Sequence, residues 1–289
     1  GGAGNDIIYG GTGDDKLIGG VGNDRYIFED AFGVDSIEEK ADGNDLADVA
    51  DFSAITSPLT FELNPVDKNK ITLGDNVVID QLLEVENFTG GSAADVFNVD
   101  FNDDLTFANP ITLQGVDGDD TYNVSFGALN AGLIINDKDN ADDNDLLNIV
   151  STDAVTVTVT DDTITHGSET ISFDGDFNNV DRLHITATSA PVEFTGSGEI
   201  LDLKKDLVVE ASSINWTGMI HAGAIDFNST APLTVDHELR TRLNGDISLV
   251  AQTGDIQIND RITIASDDGA IGNGNGTVSI SAVGGSAVG

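Results

Sequence analysis

The chain has 289 residues, with 51 Asp and Glu against 12 Lys and Arg, and a net charge of -39. That balance argues against nucleic acid as a partner, since such binding rests on neutralising phosphates with Lys and Arg; it also argues against anionic membranes and polyanionic glycans, and it favours divalent cations. Cysteine is absent, which removes disulfides, thiolate zinc sites and cysteine nucleophiles, and no apolar run reaches the ~18 residues of a membrane helix, so no membrane insertion is expected.

Residues 1–27 read as three nonapeptides set end to end, Gly1 to Tyr9, Gly10 to Ile18 and Gly19 to Ile27. Each has Gly at positions 1, 2 and 4, Asp at position 6 and a large apolar residue at position 8, namely Ile8, Leu17 and Tyr26. Glycines permit left-handed backbone, so such a turn can aim its carbonyl oxygens inward. The position-6 Asp adds a carboxylate, and several oxygen donors together suit a hard cation such as calcium. The three residues after the Asp make one short strand whose central apolar residue points into a core. With two repeats per coil, repeats one and three stack, and Asp6 faces Asp24. Bare carboxylates ~5 Å apart repel by roughly 1–3 kcal/mol, a cost that a calcium ion between them turns into attraction.

This stretch resembles the RTX (repeats-in-toxin) calcium-binding nonapeptide family. The resemblance implies a parallel β-roll, with calcium held by alternate turn carbonyls and the position-6 Asp of two stacked turns. Carried onto this sequence, one site uses Gly1, Ala3 and Asp6 with Gly20, Gly22 and Asp24. Past Ile27, Phe28-Glu29 read as an inserted pair. Residues 30–37 then keep Gly at position 4, Asp at 6 and an apolar residue at 8, similar to the degenerate terminal repeats of RTX arrays. Asp35 would face Asp15 on the opposite edge, with carbonyls from Gly10, Thr12, Ala31 and Gly33. Asp42-Gly43-Asn44-Asp45 is a fainter turn with Ala47 at position 8. The resemblance also implies export from the cell.

From about Ser53 glycine thins out and strand-forming residues dominate; no long stretch has helical periodicity. Alternation over Ala154 to Thr160 predicts a strand with Val inward and Thr outward. The units Asp95-Val96-Phe97-Asn98-Val99, Asp120-Thr121-Tyr122-Asn123-Val124 and Asp145-Leu146-Leu147-Asn148-Ile149 recur every 25 residues, and Asp181 to Ile185 echoes them. A fixed period of this size marks a solenoid. It predicts an amide ladder of Asn98, Asn123 and Asn148, and a core stack of Phe97, Tyr122 and Leu147. Residues 90–95 and 115–120 resemble decayed RTX turns; calcium between Asp95 and Asp120, or an acidic turn without metal, are both open. Further on, Gly198-Glu199-Ile200, Gly223-Ala224-Ile225, Gly245-Asp246-Ile247 and Gly269-Ala270-Ile271 fall 25, 22 and 24 residues apart. Gly254-Asp255-Ile256 adds a copy on another face of one coil. Gly245 to Leu249 followed by Gly254 to Ile258 resembles the right-handed β-helix of filamentous-haemagglutinin-type adhesins. The expected fold is all-β: an RTX β-roll over 1–53 leading into a right-handed parallel β-helix, a β-solenoid, over 54–289.

The four histidines, His166, His184, His221 and His237, are scattered, and none sits in a His-Glu-x-x-His motif. There is no nucleophile elbow, P-loop or dinucleotide fingerprint. Trp216, Met219 and the 13 Phe are expected in the core. The expected function is a calcium-binding structural or adhesive segment of a large secreted bacterial surface protein, folding as calcium binds outside the cell, and not an enzyme. Its expected partners are calcium ions, a host or matrix surface ligand, and continuation of the same chain at both ends. The alternative is a glycan lyase or epimerase module on a β-helix, for which Lys204-Lys205 and Arg240-x-Arg242 are basic pairs available to an acidic substrate.

Overall fold

A computed structural model describes residues 1–39, 47–63, 69–74, 76–83, 85–100, 110–127, 132–137, 143–173, 180–242, 245–264, 276–284 and 287–288. Among these, every helix or strand is a strand. The chain forms two compact units, Gly1–Asp145 and Leu146–Gly289, each described by itself. Both are stacks of parallel strands, the solenoid architecture expected from the repeats.

In the first unit one parallel ladder runs through Ile7–Tyr9, Arg25–Glu29, Val49–Ala54, Asn87–Thr89, Ile111–Gln114 and Leu133–Ile135. Its register stacks Ile8, Tyr26, Ala50, Phe88, Leu113 and Ile135 in one inward column. All are buried from Tyr26 onward. Ile8 is half-buried. On another face Lys16–Ile18 pairs with Asp35–Glu38. A third face stacks Leu59–Leu63, Val96–Asp100 and Thr121–Phe126. There the ring centroids of Phe61 and Phe97 lie 4.3 Å apart and those of Phe97 and Tyr122 5.0 Å apart, both pairs stacked nearly parallel. In-register parallel strands put like on like, which also lines up the amides. Asn123 Nδ2 donates to Asn98 Oδ1 at 2.8 Å, and Asn98 Nδ2 to Glu62 Oε1 at 3.0 Å.

The second unit opens with Leu146–Ser151 paired in parallel with Arg182–Phe194, so Leu147 meets Leu183 and Asn148 meets His184. The echo at Asp181 to Ile185 is therefore in register. The same sheet continues through Asp206–Trp216, Ala224–Ser229, Ile247–Ala251 and Val278–Ala282. A second parallel sheet holds Glu199–Asp202, Met219–Ala222, Leu239–Thr241 and Ile262–Ile264. A third holds Leu233–Val235, Ile256–Ile258 and Ala287–Val288.

Several expectations need correcting. The stack is not parallel throughout: Leu59–Leu63, Asn69–Leu73 and Asn76–Leu83 form an antiparallel meander, as do Val157–Val159, Thr163–His166 and Glu169–Phe173. The strand expected from Ala154 starts only at Val157, because Asp153 Oδ1 accepts the Val155 N–H at 2.9 Å in a local turn. Val155 is left 41% exposed. Phe28-Glu29 appear as a register shift between Ile27 and Glu29, and the shift places Phe28 in the core, its ring 4.5 Å from that of Phe52. Gly223-Ala224-Ile225 and Gly245-Asp246-Ile247 do stack, and Gly254-Asp255-Ile256 does lie on another face. Gly198-Glu199-Ile200 does not join them: Glu199 pairs with Met219, on a different sheet from Ala224. Trp216 is in the core, whereas Met219 is only half-buried. The turns at 42–45 and 269–271 lie outside the described residues.

The aromatic column makes one test direct. Phe97→Ala should cost roughly 3–5 kcal/mol, because a fully buried ring between two others leaves a void that rigid neighbours cannot fill. Urea unfolding of the variant should show the midpoint falling accordingly.

Candidate metal centre

The first coils are held by main-chain bonds. Gly2–Ala3 pairs with Gly20–Val21, the Gly2 N–H donates to the Gly19 carbonyl at 2.7 Å, and the Gly4 N–H donates to that of Val21 at 2.6 Å. The acceptors in these two bonds are Gly19 and Val21, so the alternate carbonyls, of Gly20 and Gly22, are not used by them. Gly20 and Gly22 have φ of 118° and 123°, in the left-handed region that a side chain disfavours. Each also sits directly over the backbone of the previous coil, at Gly2 and Gly4 respectively.

The structure joins the predicted acids through one carboxylate and the main-chain N–H of the other residue. Asp24 Oδ1 accepts the Asp6 N–H at 2.7 Å, and Asp35 Oδ1 accepts the Asp15 N–H at 2.8 Å. Each carboxylate thus uses one oxygen to clamp the coil before it. The other oxygen, Oδ2 of Asp24 and of Asp35, is buried and has no hydrogen-bond partner. Both residues are 1% exposed. A buried carboxylate oxygen left bare costs several kcal/mol, so a cation fits here where nothing else is offered.

Position 1 of the repeat has a steric reason to be glycine. A Cβ on Gly19 would fall on Asp24 Oδ2, Glu39 Oε1 and the Tyr26 hydroxyl; one on Gly1 would fall on Asp6 Oδ2 and the Gly19 carbonyl. A Cβ on Gly10 would lie 3.2 Å from Asp35 Oδ2. The oxygen-lined space is where a methyl group would otherwise sit. Ala3 is exposed at the end of the Gly2–Ala3 strand and Thr12 is exposed in a bend, while Ala31 takes φ of 68° and Gly33 stacks over the Gly13 carbonyl.

Three acids missing from the sequence reading complete the first edge. Asp24 N–H donates to Asp48 Oδ1 at 2.7 Å, and Asp48 N–H to Glu86 Oε2 at 3.2 Å, so the clamp continues coil by coil. Glu39 accepts the Tyr26 hydroxyl through Oε1 and the Gly20 N–H through Oε2 at 3.2 Å. Burial and then the Glu39 carboxylate push the Tyr26 hydroxyl well above its ordinary value, so it stays a donor. Ligand oxygens of Asp24, Glu39 and Asp48 lie within 4.8 Å of one another, all on buried residues. At an effective dielectric of about 20, each such pair repels by about 3 kcal/mol. An all-oxygen set of this charge matches a hard divalent ion and, with no Cys or His, not zinc. Asp48 was readable: Asp24-Arg25-Tyr26 and Asp48-Val49-Ala50 both place an acid two residues before a core residue. Glu39 carried no such signal, since it reaches in from the end of a strand on another face.

Other clusters are wired differently. Glu199 and Asp202 are held by His221 Nδ1 at 2.9 and 3.4 Å, and Asp202 also by Arg242, an ion-pair group on the surface. Ser151 Oγ lies 3.2 Å from His166 Nε2, while Nδ1 faces Glu169 at 2.9 Å and Nε2 also faces Asp153 at 2.8 Å. A carboxylate thus stands at each ring nitrogen, and Ser151 shares Nε2 with Asp153. A groove of about 460 Å³ is lined by Arg25, Asp51, Asn87, Thr112, Gln114 and Asn136 among others. Its acid, Asp51, is engaged by Arg25 at 2.5 Å. Burial alone would raise Asp51, but hydrogen bonds from Ser53 and Arg25 outweigh it and hold the carboxyl below the usual range.

Two outcomes follow for the metal-free and metal-loaded chain. Gly19→Ala should abolish calcium uptake at the first edge, whereas Gly11→Ala, whose Cβ meets nothing within 4 Å, should cost only about 1 kcal/mol of backbone strain and leave uptake intact. Calorimetric titration of both variants distinguishes them. Burial raises Asp35, and it raises Asp95 to about 6 and Asp120 to about 9. A folded-state pKa above the unfolded one contributes stability at low pH that is lost as pH rises through the folded value. In EDTA the melting temperature should therefore fall from pH 5 to pH 9; with calcium present it should rise over the same range, because protons no longer compete for the ligands.

Residues 1–27 match the protein family described as RTX calcium-binding nonapeptide repeat (4 copies). No curated protein matches the chain. The match covers only this N-terminal segment, and calcium is the ion it assigns there.

Proposed function

We propose that this chain is a calcium-set structural segment of a large secreted bacterial surface protein, with residues 1–53 as the roll that closes on calcium and 54–289 as a β-helix stacked behind it. The observation that carries the reading is the pair of buried, partnerless carboxylate oxygens on Asp24 and Asp35, one on each edge of the first coils. The ligands are Asp6 and Asp24 with carbonyls of Gly1, Ala3, Gly20 and Gly22, and Asp15 and Asp35 with carbonyls of Gly10, Thr12, Ala31 and Gly33. Where free calcium is scarce, the acids repel and the roll stays open, a form suited to export through a narrow channel. Outside, calcium at ten times its dissociation constant stabilises the fold by about 1.4 kcal/mol per site. A few sites then decide the state of a marginal fold. The closed roll gives the next coils a folded face to stack on and covers an open strand edge.

An adhesive role for the C-terminal part is supported by its parallel three-sheet stack and by the Gly-Asp-Ile units that fall on two of those sheets. Its target is a host or matrix surface ligand. The glycan-active alternative has the amide- and hydroxyl-lined groove in its favour, but the acid there is committed to Arg25. Incubation with assorted polysaccharides, followed for reducing ends and unsaturated products, tests it.

The main reading is tested by circular dichroism and melting of the chain in EGTA and in millimolar calcium. The wild type should gain β signal and melt several degrees higher with calcium. Asp24→Asn with Asp35→Asn should lose most of that shift. A metal-stripped wild type as folded as the loaded one would end the proposal.

A further inference from the structure

Beyond residue 27 the structure repeats, almost bond for bond, the arrangement around Asp24. Residues 115–120 occupy the place of residues 19–24. Val116 and Gly118 have φ of 95° and 114°, against 118° and 123° at Gly20 and Gly22. A β-branched residue at such a φ is strained by about 1–3 kcal/mol and persists only where its surroundings impose it. What imposes it is visible. The Val116 N–H donates to Asp137 Oδ1 at 3.1 Å, as the Gly20 N–H does to Glu39. The Tyr122 hydroxyl donates to Asp137 Oδ2 at 2.7 Å, as Tyr26 does to Glu39. The Asp120 N–H donates to Asp145 Oδ1 at 2.8 Å, as Asp24 does to Asp48. Asp120 Oδ1 accepts the Asp95 N–H at 2.7 Å, as Asp24 accepts that of Asp6.

The decisive feature is again one oxygen. Asp120 is 1% exposed and its Oδ2 is buried with no hydrogen-bond partner. A Cβ on Gly115 would fall on that oxygen and lie 2.8 Å from Asp137 Oδ2, so both oxygens face the space that Gly115 leaves empty. Ligand oxygens of Asp120, Asp137 and Asp145 lie within 4.8 Å of one another. We propose that Asp120, Asp137 and Asp145 form a further divalent-cation site, with calcium bound by their carboxylate oxygens. Tyr122 is its positioning residue, fixing Asp137 through one oxygen while the Val116 N–H fixes the other. The inference rests on the calcium reading above for the identity of the ion, but not on its ligands.

The test is calcium titration of the full chain by calorimetry, comparing wild type, Asp24→Asn, Asp120→Asn and the double variant. Asn keeps an oxygen for the Asp95 N–H, so the clamp between coils survives. Each single variant should lose one ion per chain and the double variant two. Terbium supplies a second readout that needs no change at Asp120. In the Asp24→Asn background, emission sensitised by tyrosine excitation should persist, and adding Tyr122→Phe should remove most of it. If wild type takes up no calcium, the functional reading fails as a whole. If Asp24→Asn lowers the stoichiometry but Asp120→Asn does not, or if Tyr122→Phe leaves terbium emission unchanged, a proton rather than a metal fills the space at Asp120 and this inference alone is overturned.

Discussion

The structure of the first unit depends on a carboxylate that does two jobs at once. One oxygen accepts a main-chain N–H from the coil before it; the other faces a pocket made by a missing side chain. Asp24, Asp35 and Asp120 all do this. The first oxygen fixes register, because an acid can reach only the N–H directly beneath it. The second leaves buried charge to be neutralised. The atoms that fix the register are thereby the same carboxylates that carry the buried charge.

Glycine is what makes the double role possible. At position 1 any Cβ would occupy the space the second oxygen faces. At position 4 the backbone passes so close to the coil below that Gly22 sits on the carbonyl of Gly4 and Gly118 on that of Ala93. The glycines are therefore not signs of looseness. They let turns approach closely enough for oxygens from several residues to share one space. The tyrosine two residues after the acid closes that space from the core side, donating its hydroxyl to a carboxylate from another face.

The second unit stays together by other means. Its coils are held by stacked apolar columns such as Ile225 on Ile247 and Phe227 on Leu249, and by ring contacts such as Trp216 with Phe227 at 5.5 Å. Its charged pairs are ordinary ones. Burial would raise Asp206, but Arg182 and His184 outweigh that and hold its carboxyl below the usual range. The two units thus illustrate two ways to keep parallel coils in register, by carboxylate oxygens that accept main-chain N–H groups or by shape.

Much of this was legible in the order of residues. Periods of nine and 25 announce stacking, and the position-6 acids and position-8 apolar residues say which side chains face a turn and which face the core. Local periodicity is a property of neighbours along the chain, so it survives without tertiary information. What the sequence did not reveal depends on coils of unequal length. Glu39 and Asp137 come from strand ends on other faces, at no fixed spacing from the acids they join. The Gly198 unit keeps the period yet lies on a different sheet from Gly223. Val116 takes a glycine's conformation although its side chain argues against it. Composition and repeat determined that acidic turns stack over an apolar core; only the folded chain decided which third acid closes each oxygen-lined space, because that choice is made by proximity between coils and not by distance along them.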